Sequence, residues 1–258
     1  MNRPYYKPDP VGGAEQYVGA EHKLNEPWEE QAHNVKLVGH SDLNGWGDAF
    51  QIQVSNGICY VAASGINGHN GMTILDVKDP SKPKILNQIS DSPGARTHKV
   101  LRISDDVLIT NSELRPNLVG QYPELKGGLR VFDISDPINP KFIRHVEVDS
   151  FGTHRPIYDR DRKLMYSSGF KDGYNGKILL IHDMKDPSNP RFIGHGWVEG
   201  QKEGEEYSWD NSIVKNEAWC HEGNPWGNFV TAGWWDGGIV LFDCTDPSKP
   251  EFKWRHNP

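Results

Sequence analysis

The chain has 258 residues, 36% of them hydrophobic, with 27 Gly, 18 Pro and a formal net charge of −7. It is long enough to bury a core, and its Gly and Pro suit many tight turns. The acidic balance, with no basic run, argues against a grip on nucleic acid, and no apolar stretch approaches the ~18 residues of a membrane span.

Residues 1–32 show no repeat character and are expected to form an N-terminal arm. From residue 33 a block recurs. It reads Asp76-Val77-Lys78-Asp79-Pro80-Ser81-Lys82-Pro83, and it returns around Asp136-Pro137, Asp186-Pro187 and Asp246-Pro247. The Asp-Pro pairs begin at 79, 136, 186 and 246, so the steps are 57, 50 and 60 residues. A fixed block at such periods marks a repeat architecture.

The flanks identify the unit. A glycine-led apolar run precedes each block: Gly71 to Leu75, Gly128 to Phe132, Gly176 to Ile181 and Gly238 to Phe242. A second run follows each, such as Lys84-Ile85-Leu86 and Arg191-Phe192-Ile193. Two more lie upstream, such as Phe50 to Val54 with Ile58 to Ala62. β-branched and aromatic runs bounded by Gly, Pro, Asp and Asn predict strands, and Asp-Pro supplies turn chemistry. Four strands per unit predict an all-β chain of four four-stranded β-propeller blades, at about 33–89, 90–147, 148–198 and 199–258.

Asn34 to His40 repeats the pattern of an outermost strand, as in Arg191 to His195. Five outer strands against four inner sets predict part of a larger ring, of about seven or eight blades. A second chain, identical or different, or a missing segment would complete it, since open strand edges and apolar faces are normally covered. A small closed four-bladed ring is the alternative.

The repeat resembles that of the LVIVD-repeat β-propeller proteins, from about His33 to the end. The resemblance is carried by Leu37-Val38-Gly39-His40-Ser41-Asp42, the four Asp-Pro blocks, and Trp234-Trp235-Asp236-Gly237-Gly238. It implies the propeller fold and longer relatives. It says little of activity, because propellers host many.

Histidines carry the chemical signal. His98, His154 and His221 stand at equivalent places, near the start of a blade's first strand. In a propeller that strand lines the central channel, so the three are expected to ring the axis. Neutral imidazoles converging there suit a divalent metal ion, iron, manganese or zinc. The first unit offers Phe50 or Gln51 instead, leaving a gap. A structural ring, each His bonding a neighbouring backbone, is the competing account.

Arg155 and Glu222 follow ring histidines, and Glu113 and Asp48 lie near blade tops. Arg155, Glu222 and Glu113 are the candidate catalytic groups, although strand alternation would turn Arg155 and Glu222 away from the axis. Arg96 and Lys99 flank His98 and suit an anionic substrate. Trp219, Trp226, Trp234 and Trp235 would wall a pocket or fill gaps between blades. Cys220 is expected to be a buried, inert thiol, His69 to be exposed, and His40, His145 and His195 to lie on outermost strands. The long stretches 111–127 and 199–212 are expected as loops over one channel mouth.

Three cysteines without pattern, and no signal-peptide core, point to the cytoplasm. The function expected is a metal-dependent enzyme, lyase or hydrolase before oxygenase, acting on a small organic molecule. The alternative is a non-catalytic interaction scaffold.

Overall fold

The computed structural model describes residues 35–46, 49–64, 69–92, 94–115, 123–207 and 218–256. The expected arm over 1–32, Asp48 and parts of both long loops lie outside these. Among the described residues seventeen strands form four antiparallel sheets. The first holds β1 (Ala49–Ser55), β2 (Ile58–Ser64), β3 (Asn70–Asp76) and β4 (Lys84–Ser90). The second holds β5 (Ala95–Arg96), β6 (Val100–Arg102), β7 (Val107–Leu114), β8 (Gly128–Asp133) and β9 (Lys141–Glu147). The third holds β10 (Ile157–Asp159), β11 (Leu164–Gly169), β12 (Ile178–Asp183) and β13 (Arg191–Gly196). The fourth holds β14 (Glu222–Trp226), β15 (Phe229–Gly233), β16 (Ile239–Asp243) and β17 (Glu251–His256). Each sheet is an up-and-down meander in chain order, which is a propeller blade.

The second blade differs from the expected four strands. Its inner strand is broken into β5 and β6, which both pair with β7.

The Asp-Pro blocks are tandem side-chain-capped turns. In each, the first Asp accepts from the amide two residues on: Asp76 from Lys78 at 2.9 Å, Asp133 from Ser135 at 2.8 Å, Asp183 from Lys185 at 2.9 Å, Asp243 from Thr245 at 2.9 Å. The second Asp does the same, as Asp79 accepts from Ser81 at 3.0 Å and Asp246 from Ser248 at 2.9 Å. These short local bonds hold the chain in a turn that proline prepares. After the turn the register slips at the same place in every blade, between Ile74/Leu75, Val131/Phe132, Ile181/His182 and Leu241/Phe242. A bulge so placed bends each outermost strand and raises its twist.

Blades pack face to face. Tyr60, Ile74, Val100, Leu108 and Phe132 join the first to the second. Ile109, Val131, Met165 and Met184 join the second to the third, and Tyr166, Leu179, Val230 and Phe242 join the third to the fourth. Strands β11 and β12 are buried at every position because both faces are covered. Strand β15 instead alternates exposed and buried residues, so one face of the fourth blade meets solvent. Trp226, Phe229, Ile239 and Trp254 are exposed there. No helix among the described residues is long and apolar enough to cross a membrane.

Candidate active site at the blade axis

His154 and His221 stand just before their inner strands, and His98 stands in the break between β5 and β6. Asn111, fully buried on β7, replaces the ladder at the first. Its Oδ1 accepts from the amides of His98 at 2.8 Å and Lys99 at 2.9 Å, and its Nδ2 donates to the Thr153 carbonyl of the next blade at 3.0 Å. One side chain thus pins two blades at adjacent histidines. The His154 amide donates to Ser168 and the His221 amide to Gly233, both at 2.8 Å. Ser168 Oγ donates to the His221 carbonyl at 2.8 Å, tying the third blade to the fourth.

The imidazoles converge. His98 and His154 have ring centres 4.3 Å apart, and His154 and His221 5.1 Å. In the first blade Phe50 occupies the aligned place, its ring edge-on to His98 at 4.5 Å. His98 and His154 are buried, while His221 is half-buried at the mouth.

Glu113 is the hub. Its Oε2 is 2.6 Å from His154 Nδ1 and 3.3 Å from His98 Nε2, and its Oε1 lies 2.9 Å from Lys177 Nζ and 3.2 Å from Arg96. Burial alone would raise its pKa, yet the Lys177 and Arg96 charges overcome this and hold the carboxyl well below its ordinary value. Burial lowers the pKa of all three histidines, that of His154 to about 3. Neutral imidazole is the form that binds a metal.

Lys177, which sequence reasoning passed over, is buried beside β12. Its ammonium lies 5.8 Å from the Phe170 ring, 5.7 Å from Trp219 and 6.0 Å from Trp235. A signal for it existed. The residue after the strand-leading glycine is Met72, Leu129, Lys177 and Ile239 in the four blades, so one charge interrupts an apolar position.

His98, Glu113 and His154 offer ligand atoms within 4.8 Å of one another, a group that could hold a metal ion. His221 stands beside this group rather than in it. Among the described residues neither ring nitrogen of buried His98 makes a well-directed hydrogen bond, with Glu113 Oε2 standing 3.3 Å from its Nε2. Buried polar atoms without partners are costly, and an ion satisfies them. Paired imidazoles suit iron, manganese or zinc. The carboxylate on His154 Nδ1 leaves Nε2 of that ring as ligand atom, the usual second support of a metal histidine.

Arg155 and Glu222 depart from the expectation that they face away. They precede or open their strands, so strict alternation does not apply. Lys99 Nζ lies 2.5 Å from Glu222 Oε1, and Arg155 3.8 Å from Glu222 Oε2. These contacts bring Lys99, Arg155 and Glu222 of three successive blades together beside His221.

The other candidates lie elsewhere. Trp234 is buried against Phe242 in the core, and Trp226 is exposed at the outer end of β14. Cys220 is buried, and desolvation raises its thiol pKa far above the ordinary range. His69 is exposed and stacks on Trp46 at 5.2 Å. His145 and His195 are on the outermost strands β9 and β13, while His40 is exposed outside any strand. A cavity of about 410 Å³ is lined by Trp197, Glu205, Phe252 and Arg255, none of them in the axial group.

The LVIVD repeat family model matches residues 46–90 and 125–148. No curated protein matches the chain. Similar solved structures include a hypothetical selenium-binding protein from Sulfolobus tokodaii, at 13% identity and a TM-score of 0.55, over 81% of this chain and 50% of that one. A periplasmic gluconolactonase from Pseudomonas aeruginosa matches at 12% identity and 0.55, over 81% and 53%. A putative 6-phosphogluconolactonase from Bacteroides uniformis matches at 12% and 0.55, over 80% and 53%. The chain therefore spans about half the length of these structures, and at such identity the likeness is one of fold.

Proposed function

We propose that this LVIVD-repeat propeller chain is a metal-dependent hydrolase acting on a small organic molecule at the axial cluster. The observation that carries the reading is buried His98, whose ring nitrogens make no well-directed hydrogen bond among the described residues, beside His154 and Glu113. A purely structural ring would bond its imidazoles to main chain. Here the His154 ring is held by the Glu113 side chain, across the boundary between the second and third blades, and not by main chain. Two of the fold relatives bear the name of a lactonase, and hydrolysis is the reaction class we favour.

His98 and His154 would hold the ion, with His221 at the open side. A divalent ion there supplies Lewis acidity and a reactive water at neutral pH. Glu113 fixes the His154 ring by accepting the Nδ1 proton. Arg155 orients the substrate at the mouth. Glu222, paired with Lys99, would take a proton from an attacking water at its Oε2. Elemental analysis of protein loaded in turn with iron, manganese and zinc tests the reading. One ion per chain, lost in His98→Ala and His154→Ala, is expected. Absence of all three ions from correctly folded wild type would sink it.

We also propose that a second polypeptide covers the open face of the fourth blade, where Trp226, Phe229, Ile239 and Trp254 are exposed. The three cysteines are free and buried, which fits residence in the cytoplasm.

A further inference from the structure

The axial site carries an excess of positive charge that its own carboxylates do not balance. The charged groups among the described residues there are Arg96, Lys99, Arg155 and Lys177 against Glu113 and Glu222. With neutral histidines the sum is +2, in a chain whose formal charge is −7. Metal would raise it further.

Inside the group, Lys177 and Arg96 are both spent on Glu113. At the mouth, Lys99 takes Glu222 at 2.5 Å. Arg155 is left with a 3.8 Å approach to the same carboxylate, longer than a hydrogen bond. Its Nε is buried and has no hydrogen-bond partner among the described residues. A guanidinium is a planar fork that fits two oxygens of a carboxylate or phosphate. This fork follows His154 in the chain and faces the carboxylate that follows His221, and the two imidazoles have ring centres 5.1 Å apart.

We infer that Arg155 is the receptor for an oxyanion on the ligand, so that the site takes small molecules bearing a carboxylate or phosphate. The inference rests on the reading of the axis as a substrate site, but not on the metal. An oxyanion held by Arg155 offsets the surplus charge and presents the rest of the ligand to the histidines. Lys99 acts as a positioning residue, since by holding Glu222 it keeps that carboxylate from closing on Arg155.

Calorimetric titration of chelator-treated protein with succinate, D-gluconate and inorganic phosphate is the test, with uncharged succinamide as control. At least one of the three anions should bind while succinamide does not, and added salt should weaken the binding. Which anion binds separates carboxylate from phosphate. Arg155→Gln should weaken that anion about tenfold or more, with metal content unchanged. Lys99→Gln should weaken it too, and guards against a misfolded Arg155 variant. Binding of none of the anions, equal binding of succinamide, or an affinity indifferent to both substitutions would overturn the inference. Anion binding by a protein that takes up no metal would sustain it while removing the metal reading.

Discussion

Glu113 Oε2 and His154 Nδ1 lie 2.6 Å apart across the boundary between the second and third blades, and both side chains are buried. The same carboxylate reaches Lys177 on the third blade and Arg96 on its own. A buried carboxylate with this many partners couples two blades electrostatically. Removing one partner of a buried pair leaves the others uncompensated, at about 3–5 kcal/mol. Glu113→Ala is therefore expected to destabilise the protein by that order and to lower metal content by freeing the His154 ring. Chemical denaturation and elemental analysis check both, and a variant with wild-type stability would mean the hub is not coupled.

Lys177→Met restores the apolar residue that Met72 provides in the first blade, at similar volume. Alone it should destabilise, because Glu113 keeps only Arg96 as a full charge. Combined with Glu113→Gln, the loss should be smaller than the sum of the two single losses, by about 1–3 kcal/mol. Strict additivity in a double-mutant cycle would contradict the ion pair.

His182 on β12 is fully buried against Phe192, and desolvation lowers its pKa to about 4. The fold thus favours the neutral ring. The unfolded chain takes up a proton near pH 6.5, so stability falls as pH drops from there towards 4 and levels below. The span of about 2.5 units corresponds to about 3 kcal/mol. His182→Leu should flatten this part of the stability–pH curve, as read by denaturant midpoints. An unchanged slope would assign the acid loss to other groups.

The blade turns make a pH link of the same sign at lower pH. Hydrogen bonds from Ser81, from the Asn139 side chain and from Ser248 lower the pKa of Asp79, Asp136 and Asp246. A lowered carboxylate contributes stability above its unfolded pKa near 3.8 and loses it as pH falls through the folded value. Asp246→Ala should lower the melting temperature at neutral pH and lessen the acid dependence. Asp246→Asn, whose amide oxygen still accepts from the Ser248 amide, should lie between. Melting curves at neutral and acid pH decide, and equal behaviour of the two variants would deny the turn its role.

The open face of the fourth blade makes its own prediction. If a second polypeptide covers it, Ile239→Glu should abolish assembly while leaving the melting of the isolated chain near wild type, since Ile239 is already exposed. Light scattering after size separation reads the mass. A wild-type monomer that remains monomeric in the presence of its cell extract would remove the partner.

Most of the architecture was legible because it is written in local chemistry. The Asp-Pro turns, the glycine-led runs and the alternating strands need only near neighbours in sequence, and each reappears as a capped turn or strand in all four sheets. The placing of His98, His154 and His221 followed from the repeat, since equivalent positions in successive blades face one axis. What sequence could not supply was partnership. Glu113 and Lys177 lie 64 residues apart and meet only because adjacent blades bring their inner ends together. Arg155 and Glu222 turn towards the mouth because the chain enters each inner strand irregularly, held by Asn111 and by main-chain bonds that no residue pattern announces. Local turn and strand preferences thus determined the blades by themselves. The charge balance at the axis was decided by the packing of one blade against the next, because an ion pair depends on distance in space and not on order along the chain.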